Sequence, residues 1–133
     1  MLSSVSVKDY MAASLVTFTA DTDVLHAIHL LIEKGISGAP VIDNLGNIVG
    51  LLSEKDCLKV ALEASYHGQY GGRVADYMTP HVITVDADAS IVEVAKMFLN
   101  APYKRYPVVD DNRLVGQISR RDVLKAFEAI RER

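Results

Sequence analysis

The 133-residue sequence lacks the features that mark several large classes of protein. It contains a single cysteine, Cys57, so the chain cannot close a disulfide within itself. No apolar stretch approaches the roughly 18 residues that a membrane-spanning helix needs. The first residues also lack the basic and apolar regions of a signal peptide. We therefore expect a protein without disulfides that works in the cytoplasm.

The sequence also has little excess of charge of either sign. The net charge is −3, and no run of basic residues is longer than the pair Arg120 and Arg121. A nucleic-acid-binding protein usually carries a basic stripe that follows the phosphates, and this sequence has none. By contrast, 50% of the residues are hydrophobic and 23% are charged, which is enough apolar surface for one compact, ordered unit.

The chain is an internal duplication. The string VKDYM at 7–11 returns as VADYM at 74–78, and PVID at 40–43 returns as PVVD at 107–110. A glycine, two residues, a serine, two residues and an aspartate occur at 50–56 and again at 116–122. Residues 66–73 have no counterpart and are rich in glycine. We predict a first repeat at 1–65, a linker at 66–73 and a second repeat at 74–133.

Each repeat is predicted to fold as β-α-β-β-α, which gives an α/β (α+β) protein. The predicted strands are 16–19, 39–43, 48–53, 82–85, 106–110 and 114–119, and the last helix of each repeat begins at residue 54 or 120. The buried faces of the first helices are predicted to carry Val24, Ile28, Leu31 and Ile32 in one repeat and Ile91, Ala95, Phe98 and Leu99 in the other. Because a repeat of about 55 residues is marginal alone, we expect both to pack with pseudo-twofold symmetry around clefts.

Two apolar side chains lie off the predicted buried faces. Leu30 and Met97 align with each other in the two repeats. They either pack inside the chain or contact a partner, and the partner we expect is a second copy in a homodimer.

The glycine–serine–aspartate strings allow two interpretations. Each places Ser53 or Ser119 at a helix N-cap and Asp56 or Asp122 in the first turn. A serine with an acidic residue three positions later forms a capping box, which stabilises a helix by about 1 kcal/mol. A helix N-terminus also attracts phosphate, and a carboxylate beside it can accept hydrogen bonds from two ribose hydroxyls. The two interpretations are compatible.

These motifs, in this order and duplicated, resemble a tandem pair of cystathionine-β-synthase-type (CBS) domains. The resemblance covers the chain apart from the linker and the ends. It implies a regulatory module that binds an adenosyl compound such as AMP, ADP, ATP or S-adenosylmethionine. It also implies that Asp56 and Asp122 hold ribose and that Thr17 and Thr84, with the segments before Pro40 and Pro107, enclose the adenine.

The two predicted sites differ in charge. The second repeat has Lys104, Arg105, Arg120 and Arg121 where the first has Ser37, Gly38, Glu54 and Lys55. Because guanidinium groups match phosphate oxygens, the second site is predicted to prefer the phosphorylated ligand. Its residues are Thr84, Lys104, Arg105, Tyr106, Pro107, Ser119, Arg121 and Asp122. The weaker first site would use Thr17, Ser37, Gly38, Ala39, Pro40, Ser53, Lys55 and Asp56.

The sequence predicts no catalytic constellation and no metal site. His26 and His29 share a helix face without a third ligand, and Cys57 is expected to be a small buried residue. We therefore expect a non-catalytic sensor that binds an adenine nucleotide in the cleft between the repeats and acts on a separate effector protein. The alternatives are a dimerisation or interaction module without a small ligand, and an S-adenosylmethionine binder.

Overall fold

Residues 1–132, which the computed structural model describes, form four α-helices and five β-strands. The first four elements are α1 (Val24–Lys34), β1 (Gly38–Ile42), β2 (Ile48–Ser53) and α2 (Glu54–His67). The next five are β3 (Val85–Asp86), α3 (Ile91–Asn100), β4 (Arg105–Asp110), β5 (Arg113–Ser119) and α4 (Arg120–Arg131). The mixed α+β class and the order helix, strand, strand, helix in both repeats are as predicted.

The chain divides into two compact units that do not coincide with the sequence repeats. The first unit is residues 16–82, and the second unit is residues 1–15 together with 83–133. The start of each sequence repeat therefore lies in the unit that holds the remainder of the other. Val7 is fully buried in the second unit and Val74 is fully buried in the first. Each unit thus depends on residues from both repeats for its core.

Both units contain an antiparallel hairpin with a bulge. β1 pairs with β2, and β4 pairs with β5. The first hairpin turns through residues 43–47, where the Asp43 carboxylate accepts hydrogen bonds from the backbone of Leu45 and Asn47, each at 2.9 Å. The second turns through Asp111 and Asn112, which both have positive φ, as a two-residue hairpin turn of type I′ requires. Because this turn is one residue shorter than the first, equivalent positions of the two repeats differ by 67 residues before it and by 66 after it.

The predicted first strands are shorter than expected. In the 16–19 segment only Phe18 pairs, through a parallel bridge to Val41. In the 82–85 segment pairing begins at Val85, where β3 runs parallel to β4 for two residues. The β-branched composition correctly indicated extended backbone, but each segment meets its hairpin over only one or two positions. The prediction of full strands was wrong in length.

The buried faces of α1 and α3 were predicted partly in error. Val24 and Leu31 are buried as expected, but Ala27 completes that face, while Ile32 is 75% exposed. In α3, Val94 is buried and Leu99 is 86% exposed. Both helices carry more apolar residues than one stripe holds, and packing selects the stripe at i, i+3 and i+7. Leu30 and Met97 are partly buried against the cores of their own units, so packing within the chain accounts for both.

No helix within residues 1–132 combines the length and the hydrophobicity that crossing a bilayer demands.

Candidate functional site

The first unit places the Asp56 carboxylate at the N-terminus of α2. Ser53 is the N-cap, and its Oγ accepts a hydrogen bond from the Asp56 backbone at 3.1 Å. In return, Asp56 Oδ2 accepts from the Ser53 backbone N–H and from Ser53 Oγ, each at 3.0 Å. These reciprocal bonds form a capping box, as the spacing predicted.

Two further side chains cover the same carboxylate. Thr79 Oγ1 lies 3.4 Å from Asp56 Oδ1 and 3.5 Å from Oδ2, and Lys59 Nζ lies 3.6 Å from Oδ1. Asp56 is 5% exposed. Both oxygens of this carboxylate already face donors of the chain itself.

The second unit repeats the capping box but leaves its carboxylate more open. Ser119 Oγ accepts from the Asp122 backbone at 3.2 Å, and Asp122 Oδ2 accepts from the Ser119 backbone at 2.9 Å. Within residues 1–132, Asp122 Oδ1 has no hydrogen-bond or ion-pair partner, and the residue is half-buried. One oxygen of Asp122 is therefore free to accept from a ligand.

Each aspartate motif begins with a glycine because another repeated string packs against it. A Cβ on Gly50 would lie 2.7 Å from Met78 Sδ, and a Cβ on Gly116 would lie 2.7 Å from both Met11 Sδ and the Ala12 carbonyl oxygen. The methionines are those of the two DYM strings. Sequence reasoning found both duplicated strings but not their contact, since the partners are distant in the chain.

The basic residues of the second repeat lie beside Ser119. Arg105 is directly opposite Ser119 in the β4–β5 register, and the Arg120 backbone N–H donates to the Lys104 carbonyl at 3.4 Å. The Arg120 side chain donates to the Tyr103 carbonyl at 3.2 Å, so this guanidinium is occupied within the chain. The other three predicted phosphate contacts, Lys104, Arg105 and Arg121, are exposed and form no ion pair within residues 1–132.

The corresponding positions of the first unit are arranged for close backbone packing. Gly38 is opposite Ser53, and a Cβ there would lie 3.0 Å from the Leu52 carbonyl oxygen. The Ser37 carbonyl accepts from the Glu54 backbone at 2.9 Å, and Lys55 is exposed. This side of the first motif presents little positive charge.

The predicted adenine-enclosing threonines lie just before the paired residues, and Ala39 and the two prolines lie on β1 and β4. Thr17 precedes the residue that bridges to Val41, and Thr84 precedes the residue that pairs with Val108, so the threonines lie near Pro40 and Pro107 respectively. Both threonines are half-buried, whereas Ala39 and both prolines are buried.

The side chain of Tyr106 is withdrawn into the core of its unit. Its hydroxyl donates to the Met97 carbonyl at 3.2 Å, and the residue is 2% exposed. Tyr106 therefore belongs to the core of its unit and presents almost no surface to a ligand.

Other reactive residues have local explanations. His29 lies 3.1 Å from Glu33 on the same exposed helix face. Burial raises the pKa of the Cys57 thiol, and the carboxylates of Asp56 and Glu54 raise it further. Residues 1–132 contain no group of three or more histidine, cysteine, aspartate or glutamate side chains placed to hold a metal ion.

Each of the two small α+β units carries a capping-box carboxylate beside its hairpin. This duplicated arrangement places the chain in the class of tandem-repeat modules. The CBS domain model matches residues 7–63 and 74–129, and the chain belongs to the CBS domain family.

Two solved structures and one curated relative illustrate the similarity. The chain is 34% identical to CBSX2 in a crystal structure in complex with AMP, with a TM-score of 0.81 over 95% of this chain and 98% of that one. It is 27% identical to the CBS domain pair of MJ0100 in complex with 5′-methylthioadenosine and S-adenosyl-L-methionine, with a TM-score of 0.73 over 95% and 98%. It is 33% identical to the chloroplastic CBSX1 of Arabidopsis thaliana, over 79% of this chain and 56% of the relative.

The chain spans only part of several curated relatives. It covers 41%, 56% and 63% of the length of three of them.

Proposed function

We propose that this protein is a regulatory module that binds an adenine nucleotide, and that it performs no catalysis itself. The observation that carries the proposal is the Asp122 carboxylate, which keeps one free oxygen beside a helix N-terminus and next to exposed arginines. Support also comes from CBSX2, which was solved with AMP, and from the MJ0100 pair, which was solved with two adenosyl compounds.

The chemistry of the second-repeat residues suits a nucleoside phosphate. Asp122 Oδ1 can accept a hydrogen bond from a ribose hydroxyl without breaking the capping box. Arg105, opposite the N-cap Ser119, and Arg121, next to Asp122, supply positive charge where the helix N-terminus already favours an anion. Lys104 adds a third exposed cation, and the half-buried Thr84 lies near the buried Pro107. We assign the ligand to these residues, and Tyr106 serves the core of the unit.

The first-repeat residues form the weaker site of the proposal. Thr17, Ala39 and Pro40 occupy the equivalent positions, and Ser53 and Asp56 form the equivalent cap. Ser37 and Gly38 provide no charge for a phosphate, and Lys55 is the one cation in the matching position. A neutral or positively charged adenosyl compound, such as S-adenosylmethionine, would lose less affinity at this site than a nucleotide would.

The decisive experiment measures thermal unfolding of the protein with AMP, ADP, ATP, S-adenosylmethionine, adenosine and GTP. A ligand at 100 times its dissociation constant should add about 2.7 kcal/mol to the free energy of unfolding. Asp122→Asn keeps an amide oxygen that can accept from the Ser119 backbone and removes the carboxylate, so we expect it to abolish most of the ligand-induced shift.

A matched pair of variants tests the phosphate contact. Arg105→Ala should weaken the binding of AMP about tenfold and leave the binding of adenosine unchanged, because only AMP carries the phosphate. Arg113→Ala, which removes an exposed arginine at the opposite end of the β4–β5 hairpin from Ser119, should leave AMP binding unaltered. No shift with any adenosyl compound would favour an interaction module, and a shift with S-adenosylmethionine alone would favour that ligand class.

We further propose that the partner of the exposed helix faces is a second copy of the chain. Apolar side chains protrude at equivalent positions of both units, Ile32 with Leu99 and Leu58 with Leu124, each more than 60% exposed. In the first unit they line a groove of about 500 Å³ between α1 and α2, and in the second a similar groove lies between α3 and α4. A twofold homodimer suits this duplication, because such an interface uses the same patch of both subunits.

A further inference from the structure

The residue that follows each repeated methionine occupies the same backbone position in the two units. Thr79 exchanges two backbone hydrogen bonds with Leu51, both at 2.9 Å, and Ala12 exchanges two with Gln117, also both at 2.9 Å. Leu51 and Gln117 are equivalent positions of the two glycine–serine–aspartate motifs. The scaffold is therefore matched, and only the side chain differs.

The side chain at this position accounts for part of the difference in accessibility between the Asp56 and Asp122 carboxylates. Thr79 Oγ1 lies within 3.5 Å of both oxygens of Asp56, whereas Ala12 has no hydroxyl to offer Asp122. Lys59 Nζ, 3.6 Å from Asp56 Oδ1, adds to the cover of the first carboxylate. A ribose hydroxyl that approaches Asp56 must displace these groups, while one that approaches Asp122 Oδ1 displaces none of the described residues.

We infer that the residue after the repeated methionine selects which of the two carboxylates binds the adenosyl ligand. Ala12 leaves Asp122 open and Thr79 covers Asp56, so each chain binds one adenosyl ligand tightly, at Asp122. This inference rests on the proposed function and adds its stoichiometry and the side chain that sets it.

The test is a calorimetric titration with AMP in a background that removes the open site. Wild type should bind one AMP per chain. Asp122→Asn should bind AMP at least tenfold more weakly, because the uncovered carboxylate is gone. Adding Thr79→Val, which keeps the shape of threonine without its hydroxyl, should recover about tenfold in affinity through Asp56. Adding Asp56→Asn as a third change should remove that recovery.

The reciprocal change provides the matched control. Ala12→Thr should weaken AMP binding at the intact second site about tenfold, and Ala12→Val, which has the same shape but no hydroxyl, should weaken it much less. Should Thr79→Val distort the bridge to Leu51, Thr79→Ala offers the same loss of hydroxyl with less bulk. Circular dichroism and melting curves establish that each variant is folded.

The outcomes separate the inference from the function on which it rests. Two equal AMP sites in wild type, or no recovery with either Thr79 variant, would overturn the role of Thr79 and leave nucleotide binding intact. Absence of AMP binding to wild type, with no response to other adenosyl compounds, would overturn the proposed function itself and the inference with it.

Discussion

The two units build the same cap from the same residues and then treat its carboxylate differently. Ser53 and Ser119 make equivalent N-caps, and the two aspartates accept from them at nearly equal distances. Asp56 is nevertheless 5% exposed and Asp122 is half-buried. The duplication has preserved the backbone arrangement and has changed the side chains that surround it, so similar motifs need not have similar binding capacity.

The two units also differ in the side chains that fill their cores. Ala39 and Tyr106 are equivalent residues, both nearly inaccessible to solvent. The Tyr106 ring packs against Phe98 with centroids 4.8 Å apart and against Tyr103 at 5.7 Å. The second unit thus fills with an aromatic cluster a position that the first fills with a methyl group.

The largest expected effect comes from removing that cluster's central ring. Tyr106→Ala should lower the free energy of unfolding by about 3–5 kcal/mol, because it opens a cavity in the second core. Tyr106→Phe removes only the hydrogen bond to the Met97 carbonyl and should cost about 1 kcal/mol. Urea unfolding curves measure both. Equal losses in the two variants would contradict the packing role of the ring.

The stability of wild type and Tyr106→Phe at alkaline pH provides a second test of Tyr106. Burial raises the pKa of Tyr106, with Tyr103 adding to the rise and Arg120 opposing it. A phenol whose pKa is raised by folding stabilises the protein fully below its unfolded-state pKa and loses that contribution as pH rises through the folded value. The stability difference between wild type and Tyr106→Phe should therefore shrink above about pH 10.

The next effect distinguishes the two motif glycines. In Gly116→Ala the new Cβ would lie 2.7 Å from the Ala12 carbonyl oxygen, which belongs to a hydrogen-bonded backbone bridge. In Gly50→Ala the closest atom is Met78 Sδ, on a flexible side chain, and the Thr79 carbonyl oxygen is 3.1 Å away. We expect Gly116→Ala to cost about 1–3 kcal/mol and Gly50→Ala to cost less. Melting temperatures rank the pair, and the reverse order would show that Met78 cannot move aside.

Local chemistry predicted the parts of the fold that depend on neighbours in sequence. The two consecutive strands of each repeat were predicted close to their observed bounds, and the caps followed from serine and aspartate three positions apart. The chosen faces of α1 and α3 were partly wrong, because Ile32 and Leu99 are as hydrophobic as the residues that are buried. Periodicity finds the apolar residues of such a helix, while tertiary packing decides which of them face the core.

The site could be predicted only in outline for the same reason. Both aspartates were found from their spacing, but the cover of Asp56 comes from Thr79, 23 residues further along the chain. The contact between the DYM strings and the motif glycines is also non-local. Comparing the two repeats one position beyond the shared methionine would have revealed the threonine and the alanine, although not what they face.

The smallest expected effect is on dimer association, and it concerns the exposed side chains of α1 and α3 that periodicity had assigned to the core. Ile32→Ala and Leu99→Ala should each weaken a homodimer, by about 1 kcal/mol or roughly fivefold in dissociation constant, because each removes apolar area from the proposed interface. Neither should lower the stability of its unit much, since both side chains are exposed. Leu45→Ala, at an exposed hairpin turn outside both grooves, is the control and should leave association unchanged. Sedimentation equilibrium of the three variants measures the association. A monomeric wild type, or equal weakening by all three variants, would show that a second copy does not cover these faces.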